Sequence, residues 1–256
     1  MIRFEMFSRI KGTLIWALSF ILMIVAGMNK MMVLSSQGDH NMDKLLESLP
    51  RAMRVIYGME GHDLTNSIGY SGLMLFFILI MLAFHGVFLG TSLLGRESQE
   101  KTVDFIFVKP RSRARILFYK VLAGTGIVLF LQLIIGISFY SQMKEIEPTS
   151  LYKQMILASL VTHLMFLFLG VALSIAITQR ENTQKVALVI TLLTYILVVI
   201  GQLYEFPSVE KATPIGFFPK SLFCTCFYRG IAITAIFTLV ILGLAFIEIE
   251  QREFAD

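Results

Sequence analysis

Six stretches of the chain hold apolar residues long enough, or nearly so, to cross a hydrocarbon layer. They are Leu14 to Met28, extending toward Leu34; Ser71 to Leu94; Ile116 to Tyr140; Met155 to Thr178; Val186 to Leu203; and Gly230 to Ile247. A spanning helix needs about 20 such residues at about 1.5 Å each. The two-residue alternation of a barrel strand is absent, and only helices or closed barrels satisfy the backbone in lipid. All six stretches therefore predict membrane helices, and residues 1–256 form a single domain.

The polar stretches between them differ in kind. From Met1 to Gly12, Ile2, Phe4, Met6, Phe7 and Ile10 interleave with Arg3, Glu5, Arg9 and Lys11. That mixture suits a helix lying along the inner membrane surface, since a helix so short is marginal without a surface to pack on. The first outer loop, Ser35 to Asn66, is broken by Pro50 and Gly58 and carries an amphipathic stretch from Met42 to Leu49. Glu205 to Arg229 holds Gly216-Phe217-Phe218-Pro219 and Ser221-Leu222-Phe223, too apolar for a solvated loop and too short to cross. A re-entrant pair of short helices dipping into the outer leaflet is the expectation for 205–229.

Composition agrees with the periodicity. Apolar residues make up 56% of the chain and charged ones 16%, with a mean hydropathy of +0.74. An average soluble domain is about 45–50% apolar and about 25% charged, so the excess must face lipid. The net charge of +4 belongs to the loops rather than to a nucleic-acid surface. One side collects Arg3, Arg9, Lys11, Arg96, Lys101, Lys109, Arg111, Arg113, Arg115, Lys120, Arg180, Lys185 and Arg252. The other side's basic residues are mostly offset by Asp39, Asp43, Glu47, Glu145, Glu147 and Glu210. This bias puts both termini in the cytoplasm. Asn29 and Lys30 follow the first apolar run without a small-residue cleavage site, as expected of a retained first helix.

The chemistry-bearing residues are few. Neither G-x-S-x-G nor G-x-x-x-x-G-K-[ST] occurs, so ATP hydrolysis would need another subunit, and no catalytic, cofactor-binding or metal set emerges. Gly124 and Gly126 follow no strand and read as close-packing positions. Cys224 and Cys226 have neither zinc-site nor disulfide-framework spacing and read as small packing residues. His85 and His163 fall inside spans. An ionisable side chain at that depth is either a pathway residue or a hydrogen-bonding partner between helices. The second reading is favoured, because no acidic or basic residue stands near either in the sequence. Met74, Phe76, Phe77, Met81, Phe84, Phe88, Met165, Phe166 and Phe168 fill the spans, chiefly as lipid-facing packing.

The most informative stretch is the loop from Gly95 to Arg113. It alternates charge with an apolar edge of Val103, Phe105, Ile106, Phe107 and Val108, then halts at Pro110, and Ser112 is placed to cap the third span. A loop serving topology alone has no need of five apolar residues in water; they are to be covered by protein or lipid, as in the groove of a soluble partner.

In this loop the chain resembles the permease subunits of ABC transporters, of the ABC-2 type exporter family. Glu97, Thr102, Pro110, Ser112, Arg113 and Lys120 follow the family's order of glutamate, Gly-Thr, Pro, Ser-Arg and lysine, with Lys101 where the family usually has glycine. Thr213-Pro214-Ile215-Gly216-Phe217-Phe218 is similar to its Ser-Pro-x-x-Tyr/Phe element, and Gln251-Arg252-Glu253-Phe254 to its ending.

The resemblance implies an all-α integral membrane protein with six transmembrane helices. It also implies an elbow helix over 1–13, a cytoplasmic coupling helix in loop 95–112, and a multi-pass place in a bacterial cell membrane. Glu97, Glu100, Lys101, Thr102, Asp104, Phe105, Pro110 and Arg113 would form the ATPase-coupling element, with the 179–185 turn nearby. The partners implied are ABC ATPase subunits, which bind ATP and Mg, and a second copy of this permease or a related one. The substrate expected is amphipathic, a peptide such as a bacteriocin or toxin. The alternative is a membrane sensor or immunity subunit that binds such a ligand without moving it.

Overall fold

The computed structural model describes residues 2–36, 48–64, 66–99, 113–143, 150–177 and 180–251. Among them are ten helices and no strand: α1 (Ile2–Ser8), α2 (Ile10–Ser36), α3 (Arg51–Ile56), α4 (Ser67–Gln99), α5 (Arg113–Met143), α6 (Ser150–Ala176), α7 (Arg180–Leu203), α8 (Pro207–Glu210), α9 (Pro214–Lys220) and α10 (Cys226–Gln251). Six are long and apolar enough to cross a membrane, over Ile10–Lys30, Ile68–Leu94, Ala114–Met143, Ser150–Ala176, Asn182–Leu203 and Cys226–Ile249. The protein is therefore an all-α, multi-pass membrane protein, as the apolar periodicity predicts.

Each spanning helix begins before its apolar stretch, and α6 stops at Ala176, short of Thr178. α4 begins before Ser71 and continues past Leu94 to Gln99, and α7 begins at Arg180 rather than Val186. Hydropathy marks only the part in hydrocarbon, whereas a helix stops where its backbone bonding stops. The same logic corrects the elbow. α1 ends at Ser8, a one-residue turn falls at Arg9, and Ile10 already belongs to the first spanning helix, so the helix over 1–13 is two elements.

The bundle is built around α4 and α6. Gly90 of α4 faces Gly170 of α6, and Gly86 faces the His163–Leu167 turn, so closely that the helices meet backbone to backbone. A Cβ at Gly90 would collide with the Leu167 carbonyl, and one at Gly170 with the Val87 carbonyl. Small residues permit this where apolar side chains gain nothing over lipid tails. Phe166 packs at the crossing, and Leu75, Ile78, Leu79 and Leu82 continue the buried core along α4.

The Met and Phe residues within α4 and α6 need correction here. Met74, Phe76, Met165, Phe166 and Phe168 are buried inside the bundle rather than turned to lipid. Phe166 packs beside the glycine crossing, whereas Met74 lies against Gly27 of α2 and Phe76 against Gly58. The faces left uncovered belong to α2, α5, α7 and α10, with Ile15, Leu133, Leu193, Ile233 and Leu239 at least half exposed.

Two short helices, α8 and α9, stand in the 205–229 segment as expected of it. Thr213 caps α9, its Oγ1 accepting from Gly216 N at 3.4 Å. α9 packs on the N-terminal part of α4 and against α7 and α10, closing one end of the bundle. α1 closes the other end, beside the start of α5.

Candidate functional site

At the end closed by α1, three charged residues lock three helices together. Glu5 of α1 is buried; its Oε1 accepts from Lys120 Nζ of α5 at 3.2 Å and its Oε2 from Arg9 Nη2 at 3.2 Å. Lys120 is only 1% exposed and also donates to the Leu93 carbonyl of α4. Arg9 donates to the neighbouring Ser92 carbonyl at 2.8 Å and to Ser92 Oγ. A buried cation is tolerable only when paired and hydrogen-bonded, and each of these meets both a carboxylate oxygen and a backbone oxygen. Ser8 Oγ donates to the Glu5 carbonyl and Thr13 Oγ1 to the Arg9 carbonyl, each at 3.0 Å, easing the turn between α1 and α2.

This lock sits at the root of the 95–112 loop. Glu97 stands one turn beyond Leu93, about 6 Å along α4, and Arg113 opens α5 two turns, about 10 Å, before Lys120. Glu100, Lys101, Thr102, Asp104, Phe105 and Pro110 lie outside the described residues, as does Ser112. So does the Met42 to Leu49 stretch over residues 42–47. Sequence reasoning placed Lys120 in the coupling motif but missed Glu5 as its partner, and Arg9 as the second cation on that carboxylate. The signal available was a lone lysine within an apolar run, which demands a counter-charge.

Deeper in the bundle, four helices share a chain of polar side chains. His85 Nδ1 of α4 lies 2.7 Å from His163 Nε2 of α6, and His163 Nδ1 lies 3.4 Å from Gln132 Nε2 of α5. Ser159 Oγ donates to Gln132 Oε1 at 2.9 Å, and Trp16 of α2 meets the His85 ring edge-on at a centroid distance of 5.1 Å. Ser159 Oγ also reaches the Ile156 carbonyl at 2.8 Å. With the Gln132 oxygen toward Ser159, the amide nitrogen donates to His163 Nδ1, and a neutral His163 then carries its proton on Nε2 toward His85. Both candidate pathway histidines are thus brought together, and both are buried.

The opposite end is held by ion pairs between the loops. Glu210 and Lys220 meet at 2.6 Å, Gln202 Nε2 donates to the same carboxylate at 3.2 Å, and Arg51 pairs with Glu205 at 2.8 Å. Arg54 and Arg51 both reach Glu60, at 3.2 and 3.4 Å. The His62 ring rests against Gly72 of α4. Burial, then the Lys220 charge, pulls its pKa down to about 4, with Glu210 opposing. Cys224 and Cys226 are joined by a disulfide, which corrects the reading of them as packing residues. Cys224 is exposed beside the turn into α10 and packs little; spacing alone cannot reveal a bond between near neighbours.

The family comparison decides what this architecture belongs to. A family model described as ABC-2 family transporter protein matches residues 1–214. The chain belongs to that ABC-2 family. A comparison with curated proteins found no match. The matched residues take in α1, the first five spans, the Glu5–Arg9–Lys120 lock and the whole 95–112 loop. The likeness drawn at 251–254 falls beyond them. As an ABC-2 protein the chain is a membrane permease component, of a kind that works with an ABC ATPase.

Proposed function

We propose that this ABC-2 permease moves an amphipathic substrate, a peptide such as a bacteriocin or toxin, out of a bacterial cell, driven by separate ATPase subunits that bind ATP and Mg. The observation that carries the reading is the polar extension of α4. The apolar span ends at Leu94, yet the helix continues through Arg96, Glu97, Ser98 and Gln99, and α5 resumes at Arg113. Two helices thus run on past their apolar spans toward the sequence 100–112, on the side where the basic residues collect. A soluble partner that grips it acts on α4 and α5 directly.

In this reading both termini are cytoplasmic, and Glu97, Glu100, Lys101, Thr102, Asp104, Phe105, Pro110 and Arg113 form the surface that meets the ATPase. The uncovered apolar faces of α2, α5, α7 and α10 supply area for lipid and for a second permease, whether a copy of this chain or a related one. Closure of two ATPase chains on ATP biases a pair of helical bundles between two arrangements and opens the seam outward. The nine Met and Phe residues named above bear on substrate less than composition implies, because five of them are spent on the bundle's own core.

The test is transport. Inverted vesicles holding the permease and its ATPase are expected to accumulate a labelled amphipathic peptide when ATP is added. ATP turnover without accumulation overturns peptide export, and peptide binding without accumulation assigns the sensor or immunity role instead.

A further inference from the structure

We infer that the cleft where α1, α2 and α5 meet binds one anionic glycerophospholipid, whose acyl chain fills the cleft and whose phosphate is held by Lys11 and Arg115. The cleft has a volume of about 240 Å³ and is lined by Met6 and Phe7 of α1, Ile10 and Thr13 of α2, and Ile127 and Phe130 of α5. α1 packs on α5 at Gly126, where an added Cβ would lie 3.7 Å from the Met6 thioether, and the cleft opens beside that contact. Thr13 is the one polar residue of the lining, and its hydroxyl is already spent on the Arg9 carbonyl at 3.0 Å. Water therefore finds no partner there, and an empty cleft forfeits contacts for every side chain around it.

The surroundings decide the occupant. Ile10, Thr13, Ile127 and Phe130 all belong to spanning helices, and the neighbouring Leu14, Ile15 and Leu129 are each more than half exposed, as lipid-facing residues are. Acyl chains are what such a surface meets. A single turn of helix, about 10 Å across and about 5.4 Å long, takes up more than the cleft offers, so neither a span of a second permease nor a helical peptide fits it. A run of methylenes does, and each one buried strengthens the hold.

Charge selects the headgroup. Lys11 follows Ile10 at the start of the first span, and Arg115 lies on nearly the same face of α5 as Gly126, three turns or about 16 Å nearer the start of the helix. Both side chains are exposed, and neither makes an ion pair among the described residues. Glu5, the acid of α1, is committed to Lys120 and Arg9. Basic side chains at a membrane surface attract anionic lipid, and their long stems reach along a helix to the level of the phosphate. Such a site requires neither the ATPase nor a transported substrate.

Native mass spectrometry of the full chain tests this, after detergent extraction from vesicles of equal phosphatidylglycerol and phosphatidylcholine. One phosphatidylglycerol per chain is expected to survive extraction. Lys11→Gln and Arg115→Gln are each expected to lower its retention roughly five-fold. Ile127→Trp, which fills the cleft, is expected to displace the lipid with both cations in place. Should Ile127→Trp fail to fold, the comparison is read on the two charge variants, which alter exposed side chains only. Retention of both lipids alike, or of neither, overturns the inference, as does a phosphatidylglycerol that the charge variants or a folded Ile127→Trp leave in place. If Ile127→Trp splits a dimer and releases no lipid, the cleft is a contact between two copies and the inference fails.

Discussion

His85 Nδ1 lies 2.7 Å from His163 Nε2, and this contact ties the second and fourth spans deep within the bundle. It sits beside the crossing at Gly86, whose Cβ would approach the His163 carbonyl at 2.9 Å, so the polar pair and the bare backbone reinforce one register. Removing His163 strands the His85 ring and the Gln132 amide nitrogen inside the bundle. His163→Ala is expected to cost roughly 2 kcal/mol or more through the lost bonds and the cavity. A double-mutant cycle with His85→Ala should give a coupling near 1 kcal/mol, within the range for hydrogen bonds between membrane helices. Unfolding in detergent and denaturant measures both, and a coupling of zero would show that the contact does not contribute.

Gly90→Ala and Gly170→Ala place a methyl group against a carbonyl of the facing helix. A backbone carbonyl cannot swing aside as a side-chain end can, so α4 and α6 must separate, at a cost of about 1–3 kcal/mol or more. Gly12→Ala and Gly243→Ala meet nothing within 4 Å and serve as controls expected to behave as the unaltered protein. Elution profiles of detergent-solubilised variants distinguish the two pairs.

Acid should loosen the end closed by α9. His62 titrates at about 4 where it packs and at about 6.5 when the segment opens. Between those values the opened form binds more protons, so the closed form loses stability as pH falls from about 6.5 toward 4, by up to roughly 3 kcal/mol. Hydrogen exchange of 207–223 measured across that range should rise toward acid. His62→Gln is expected to flatten the dependence, and an unchanged slope in that variant would assign it elsewhere.

The Cys224–Cys226 bond closes a very short loop, so it removes little chain entropy from the unfolded state, on the order of 1.5 kcal/mol. Cys224→Ser with Cys226→Ser is accordingly expected to lower the melting temperature only slightly. A maleimide should label the unaltered protein only after reduction, and labelling without reductant would contradict the bond.

The six spans were legible because hydropathy over about 20 residues is a direct consequence of lipid thickness. The segment holding α8 and α9 was legible for a related reason: Phe217, Phe218 and Phe223 are too apolar for water, and Pro214 and Pro219 break any longer helix. What sequence could not supply was partnership across distance. Lys120 reads as one more loop cation until Glu5 is found beside it. His85 and His163, far apart in the chain, read as two separate histidines until α4 and α6 cross. The Met and Phe residues were assigned to lipid because all-round apolar helices carry no moment to say which face is inward. Only the glycine contacts reveal that α4 and α6 form the centre.

The most direct measurement of the central claim is ATP turnover by this permease purified with its associated ATPase, with loop 95–112 intact and with Glu97→Ala plus Phe105→Ala. The account expects the ATPase to co-purify with the unaltered chain, and the double variant to keep its fold but lose association or membrane-linked turnover. Turnover indifferent to the loop, or a chain that binds no ATPase, would contradict it.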